Sequence, residues 1–226
     1  MGKIIYISNF TNVTKGDKMN RKFLRSIRAK SKGIEDMPSR AQEVLDCFHI
    51  NDFSSGVPIV EILTNMGFKI FQSDLEPDDL SAYIAVDPTF KDTFGSNKIT
   101  CVHVKDNLGH KTFALAHELA HYLFDFDESK SLYYYDTYFP KENEDKFEER
   151  RANKFAANLL MPEKVFIQKF EDLKSLQSKV DIVNELGKYF NVSPTAVLKR
   201  FEELNIKGFD DYEDNWGEIW ERIKTV

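Results

Sequence analysis

The feature that most constrains this chain is an apolar helical stretch with three ionisable residues set in it. From Phe113 to Phe124, every residue other than His117, Glu118 and His121 is Phe, Ala, Leu or Tyr. A stretch of this composition belongs in the interior of a fold, where two imidazoles and a carboxylate without partners cost on the order of several kcal/mol. The folded protein must therefore provide partners that offset the cost of burying these three side chains.

The spacing of the two histidines predicts a metal site. Residues four apart lie on the same face of a helix, so His117 and His121 can bind one ion, and Glu118 can face the water side of that ion. Zinc in hydrolytic sites keeps three protein ligands and one position for a water molecule, whose pKa it lowers to about 7. A carboxylate beside this water can take its proton and pass it to a leaving amine. The pattern predicts a zinc peptidase with Glu118 as its catalytic base.

The third ligand is expected on a second helix, predicted near residues 142–161. The apolar arc of this helix consists of Ala152, Phe155, Ala156, Leu159 and Leu160. Asp145, Glu148 and Glu149 all lie within or at the edge of that arc at 100° per residue. Periodicity therefore does not choose among these three carboxylates.

Two segments of the chain resemble the ImmA/IrrE family of metallopeptidases. They are Thr112–Tyr122, which reads T-F-A-L-A-H-E-L-A-H-Y, and Glu149–Pro162, which reads E-R-R-A-N-K-F-A-A-N-L-L-M-P. The resemblance covers roughly residues 40–205. Two positions depart from the common pattern, because many relatives have Gly at the position of Ala120 and an acidic residue at that of Arg151.

The resemblance implies one Zn²⁺ per chain, held by His117, His121 and Glu149. In the family pattern the third ligand is the glutamate three residues before Ala-Asn, which is Glu149 here. Asn153 follows Glu149 by one helical turn, so it either holds a ligand in place or is an exposed or capping residue. His103 and His110 could contact substrate or stabilise an oxyanion, but a histidine that only forms hydrogen bonds within the fold or faces solvent is the commoner case.

The predicted fold class is α+β, with a zincin-like core, a small antiparallel or mixed sheet and a helical C-terminal segment. Strands are predicted at Phe68–Phe71, Tyr83–Val86 and Ile99–Val104. The resemblance implies a strand beside the active helix, and Ile99–Val104 is expected there with an edge open to an extended peptide. The run Tyr133–Tyr135 is expected in a polar loop.

Three parts are predicted along the chain. Residues 1–38 form a basic N-terminal arm, which is either a solvated helix face or mobile arm, or a docking arm for an acidic partner. Residues 39–165 form the metallopeptidase domain. Residues 166–226 contain a helix-turn-helix-like pair around Ser193-Pro194, followed by an acidic tail with two tryptophans.

The predicted function is a zinc-dependent endopeptidase. By resemblance, its substrate is a protein, namely a helix-turn-helix transcriptional repressor or a similar regulator. The alternative is a non-catalytic regulatory module that relieves repression by binding the regulator and has a structural zinc site. Direct nucleic-acid binding is not expected, because the formal net charge is −6 and phosphate contacts need clustered Lys and Arg.

The compartment is predicted to be the cytoplasm. The two cysteines, Cys47 and Cys101, cannot form a disulfide framework, which fits a reducing compartment. The first apolar stretch is too short for a signal peptide, and no run of about 18 apolar residues suggests a membrane span. The sequence leaves the oligomeric state open.

Overall fold

The computed structural model describes residues 5–6, 16–30, 32–75, 80–126, 133–138, 146–174 and 178–206. The helices in these residues are α1 (Gly16–Arg28), α2 (Met37–Cys47), α3 (Ile59–Asn65), α4 (Phe90–Phe94), α5 (Leu108–Phe124), α6 (Phe147–Leu160), α7 (Glu163–Leu173), α8 (Lys179–Phe190) and α9 (Pro194–Glu203). The strands are β1 (Ile5–Tyr6), β2 (Lys69–Ser73), β3 (Leu80–Val86), β4 (Lys98–His103) and β5 (Tyr133–Tyr138). A short 3₁₀ turn, Ile34–Asp36, precedes α2.

The described strands form one mixed sheet in the order β1, β2, β4, β3, β5. Strands β2 and β4 are parallel, and every other neighbouring pair is antiparallel. Helices α5 and α6 pack against each other, and α5 also contacts β3 and β4. The predicted α+β class with a small mixed sheet is therefore confirmed.

Strand β4 lies in the middle of this sheet. Thr100 is paired with Ile70 of β2 on one side and with Ile84 of β3 on the other. The expectation that Ile99–Val104 offers an open edge to a peptide is therefore wrong, because neighbouring strands occupy both sides of β4. Sequence alternation identifies a strand, but its neighbours in the sheet are set by contacts between distant segments.

The tyrosine run lies in a strand, so the prediction of a loop at this position is wrong. Residues 133–138 form β5, whose backbone pairs with β3 from Leu80 to Val86. Tyrosine and threonine favour extended backbone, but that preference depends on a partner strand. Among the described strands, β5 forms one edge of the sheet.

Helix α5 runs through the core of the protein. All its side chains from Ala114 to Phe124 are buried, as expected for a helix that is apolar on every face. It begins at Leu108, one turn earlier than the apolar pattern indicates, because Asn107 Oδ1 accepts a hydrogen bond from the backbone N–H of His110 at 2.9 Å. This cap satisfies one of the free N–H groups of the first turn. Helix α6 begins at Phe147, later than predicted, after the extended residue Lys146.

The buried side chains form one main hydrophobic core across the predicted parts of the chain. It extends from Leu24 and Ile27 of α1 to Phe190 of α8 and Phe201 of α9. Along α1, the exposed basic residues are Arg21, Lys22 and Arg25, so the described part of the basic segment has one solvated face and one packed face. The bounds of the three predicted parts stay predictions, and the acidic tail at 210–221 lies outside the described residues.

In the described part of the chain, no helix combines the length and the apolar character needed to cross a bilayer. Cys47 and Cys101 are free thiols. Burial raises the pKa of Cys101 to about 11, so this thiol stays protonated and unreactive at neutral pH.

The turn between α8 and α9 packs directly on the first half of α5. Asn191 Nδ2 donates a hydrogen bond to Thr112 Oγ1 at 3.4 Å. Gly109 makes this approach possible, because a Cβ at its position would lie 2.5 Å from both the backbone nitrogen of Ser193 and the carbonyl carbon of Val192. The helix-turn-helix-like pair therefore supports the helix that contains the two histidines.

Replacing Gly109 with alanine is expected to lower the free energy of unfolding by about 1–2 kcal/mol. Overpacking costs about 1–3 kcal/mol, and because the obstacle here is rigid backbone the cost lies at the upper end, about 2–3 kcal/mol. Alanine favours a helix over glycine by about 1 kcal/mol, which leaves a net loss of about 1–2 kcal/mol. Urea denaturation of Gly109→Ala gives this difference. Leu108→Ala is the control, because Leu108 is 66% exposed and should change stability by no more than about 0.5 kcal/mol. A more stable Gly109→Ala protein would show that the close contact is absent.

Candidate metal centre and active site

The two histidines of α5 and a glutamate of α6 converge where these helices pack together. His117 Nε2 lies 2.9 Å from His121 Nε2. The carboxylate oxygens of Glu149 lie 3.2 Å from His117 Nε2 and 3.4 Å from His121 Nε2. One ligand atom from each of the three residues lies within 4.8 Å of the others. The imidazoles are 1% and 0% exposed, so the donor atoms face each other inside the fold.

The donor set fits zinc. Two imidazole nitrogens and one carboxylate oxygen are the ligands of a common type of hydrolytic zinc site, which leaves the fourth position for water. Among the three carboxylates that periodicity left open, Glu149 is the one that joins the histidines. Glu148 lies outside this group, and Asp145 lies outside the described residues.

Each histidine is held through its other ring nitrogen. The Nδ1–H of His117 donates to Asn153 Oδ1 at 2.9 Å, and that of His121 donates to Asp125 Oδ2 at 2.8 Å. These bonds keep the proton on Nδ1, so the lone pair of each Nε2 points toward Glu149. The structure therefore supports the first of the two roles considered for Asn153.

Asp125 is a residue of the site that the sequence analysis missed. It follows His121 by four residues, at the end of α5, so helical spacing alone could have identified it as a neighbour of that histidine. The apolar pattern ends at Phe124 and therefore does not place Asp125 in the helix.

The electrostatics of the site suit a cation. Burial lowers the pKa of His121, and the hydrogen bond that its Nδ1–H donates to Asp125 offsets only part of this effect, so the imidazole is neutral at pH 7. Burial alone would raise the pKa of Glu149, but its contacts with His117, and to a lesser extent with His121, hold this pKa below its usual value. At neutral pH the site therefore presents a neutral imidazole at His121 and an ionised carboxylate at Glu149, and these are the forms that bind zinc.

Glu118 is buried on the same helix, with 0% exposure. It follows His117 directly, so its Cβ is rotated about 100° around α5 from that of the histidine. A fully buried carboxyl group is unusual, because acidic residues are mostly exposed in folded proteins. This placement is compatible with the predicted role in proton transfer.

The other two histidines considered for the site are engaged elsewhere. His110 Nε2 lies 2.9 Å from Ser81 Oγ and 3.7 Å from Asp106 Oδ2. Both contacts are at the same ring nitrogen, so these residues do not form a Ser-His-Asp catalytic arrangement, which uses the two nitrogens separately. His103 Nδ1 accepts a hydrogen bond from the backbone of Lys105 at 3.0 Å. Neither histidine belongs to the metal group, the set of His117, His121 and Glu149 that could hold an ion.

The family comparison agrees with this site. The sequence matches the family Peptidase_M78, described as the IrrE N-terminal-like domain, over residues 64–202. This range contains both site helices, α8 and all of α9 except its last residue, and it confirms the resemblance to ImmA/IrrE metallopeptidases. A comparison with curated proteins gives no match. The match covers more than half of the chain, and the chain therefore belongs to the Peptidase_M78 family of IrrE N-terminal-like domains.

Proposed function

We propose that this chain is a zinc-dependent endopeptidase. His117, His121 and Glu149 hold one zinc ion, and Glu118 is the catalytic base. The observation that carries the proposal is the convergence of three ligand atoms within 4.8 Å at a buried contact between two helices. Membership of a peptidase family adds independent support.

A zinc ion held by His117, His121 and Glu149 would supply a Lewis acid, which lowers the pKa of a water molecule and polarises the scissile carbonyl. The Glu118 carboxylate takes a proton from the water as the water oxygen attacks the carbonyl carbon. The resulting carboxylic acid gives this proton to the amide nitrogen as the C–N bond breaks. Asn153 and Asp125 keep the two imidazoles in one orientation throughout, so the histidines need not reorganise.

The substrate proposed on family resemblance is a helix-turn-helix repressor or a similar regulator of the cytoplasm. An extended peptide that adds to the sheet needs an edge strand. Because β4 is central, such a peptide would use another strand, and β5 is an edge among the described strands.

The alternative is a non-catalytic module that binds the regulator, and a module that binds DNA through its helix-turn-helix-like pair has less support. In α9, which would be the second helix of a helix-turn-helix unit, Arg200 is buried and donates hydrogen bonds to Met161 O at 3.1 Å and Asn158 Oδ1 at 2.9 Å. Lys199 and Glu202 are the exposed charged residues of this helix, and their charges cancel. Such a surface does not favour contact with phosphates.

The proposal predicts that cleavage depends on metal. The zinc-loaded protein is incubated with purified helix-turn-helix repressors from its own genome, and products are identified by mass spectrometry. Removing the metal with a chelator is expected to stop cleavage, and adding zinc back to restore it. Cleavage that continues at the same rate without metal would contradict the proposal. Binding of the intact repressor without any cleavage would favour the alternative.

A further inference from the structure

The carboxylate of Asp125 has two partners, one on each side. Its Oδ2 accepts the hydrogen bond from His121 Nδ1 at 2.8 Å, and its Oδ1 forms an ion pair with Arg151 Nη2. Arg151 lies on α6, two residues after Glu149. One buried chain of contacts therefore connects the guanidinium group to an imidazole of the metal group.

Arg151 is fixed in place by more than this ion pair. It is 5% exposed, and its Nη1 donates to the backbone carbonyl of Lys32 at 3.3 Å. Its guanidinium carbon lies 5.1 Å from the ring centre of Phe147 and 5.8 Å from that of Phe124. A planar guanidinium can bond in two directions in one plane while stacking on aromatic rings, which an ammonium group cannot do.

The carbonyl that Arg151 contacts belongs to a segment outside the family match. Two basic side chains near this carbonyl bind the last carbonyl groups of α5. Lys32 Nζ donates to Phe124 O at 2.8 Å, and Arg28 Nη2 donates to Tyr122 O at 2.8 Å. Carbonyl groups at the end of a helix lack partners within the helix and attract positive charge. Arg28, Lys32, Arg151 and Asp125 thus form one connected support at the end of the helix that holds His121.

We propose that Arg151 is a positioning residue of the metal centre, which acts through Asp125 to fix the ring of His121 and connects Lys32 to the site. This inference rests on the proposed function, because it takes His121 as a zinc ligand. Without Arg151, the carboxylate of Asp125 loses its cationic partner and can turn away from His121 Nδ1. The ring of His121 then loses the contact that aims its Nε2 at the ion.

The test measures zinc affinity by competition with a chromophoric chelator. Arg151→Met is expected to bind zinc 10–100-fold more weakly, the usual effect of losing a residue that orients a ligand. Arg150→Met is the matched control, because Arg150 is the adjacent residue on α6, is exposed and carries the same charge. Its zinc affinity should stay close to that of the unmodified protein.

Two further measurements separate positioning from a general loss of stability. If Arg151 acts through Asp125, the double variant Asp125→Ala with Arg151→Met should bind zinc no more weakly than Asp125→Ala alone. Cobalt bound in place of zinc should show a changed visible absorption spectrum in Arg151→Met and an unchanged one in Arg150→Met. Fully additive losses in the double variant would overturn the proposal.

The outcomes also distinguish this proposal from the proposed function. An unmodified protein that binds no zinc would overturn the metal site itself. An unmodified protein that binds zinc, together with an Arg151→Met protein of equal zinc affinity and equal cobalt spectrum, would overturn only the role of Arg151. If Arg151→Met does not fold, zinc affinity is measured on Arg151→Lys instead, since lysine keeps the charge but not the planar geometry. Zinc affinity in Arg151→Lys equal to that of the unmodified protein would then overturn the proposal.

Discussion

Replacing Glu118 with glutamine is expected to abolish peptide cleavage while zinc stays bound. Glutamine keeps the shape of the side chain but cannot take a proton from the attacking water. Loss of a general base lowers the rate by about 10²–10⁴-fold. The three proposed ligands are untouched by this change, so zinc content should stay near one ion per chain. Both quantities can be measured on one preparation, by repressor cleavage and by elemental analysis.

The outcome of Glu118→Gln also separates the two functions considered. Cleavage at the rate of the unmodified protein would remove Glu118 from its proposed role. If the unmodified protein cleaves nothing and Glu118→Gln still relieves repression in cells, the non-catalytic binding module explains the activity. Circular dichroism provides the control for folding, because Glu118 is fully buried and its replacement could destabilise the core.

The pairing of the two histidines could be predicted from the sequence because the relation between them is local. Residues four apart on a helix are neighbours in any fold that keeps the helix. The contact between His117 and His121 could therefore be predicted without knowledge of the tertiary structure. Glu149 lies on another helix, and periodicity could not distinguish it from Glu148. Family resemblance selected it, and the packing of α6 on α5 brings its carboxylate to both imidazoles.

The features that could not be predicted depend on contacts between distant segments. The central place of β4 arises from its pairing with β2 and β3, which come from separate parts of the chain. The contact of Arg151 with Lys32 joins residues far apart in sequence. Hydropathy patterns show which face of a helix or strand is buried, but they do not identify the segment that covers it.

Removing the carboxylate of Glu149 is expected to weaken zinc binding by more than 100-fold. Residues that only orient a ligand contribute about 10–100-fold, and Glu149→Ala removes a ligand itself. Its lowered pKa keeps this carboxylate ionised at neutral pH, so the variant loses a full negative charge beside the ion. Competition titration with a chelator at pH 7 measures the change in affinity.

Glu148→Ala is the matched control for this prediction. It removes the same charge from the adjacent position of α6, yet Glu148 lies outside the metal group, so zinc affinity should change by no more than about twofold, the equivalent of about 0.5 kcal/mol. Equal losses in both variants would indicate a general effect of charge. A large loss in Glu148→Ala alone would make Glu148 the ligand. Helix α6 would then have to rotate by about 100°, which would turn the buried Ala152 and Phe155 out of the core.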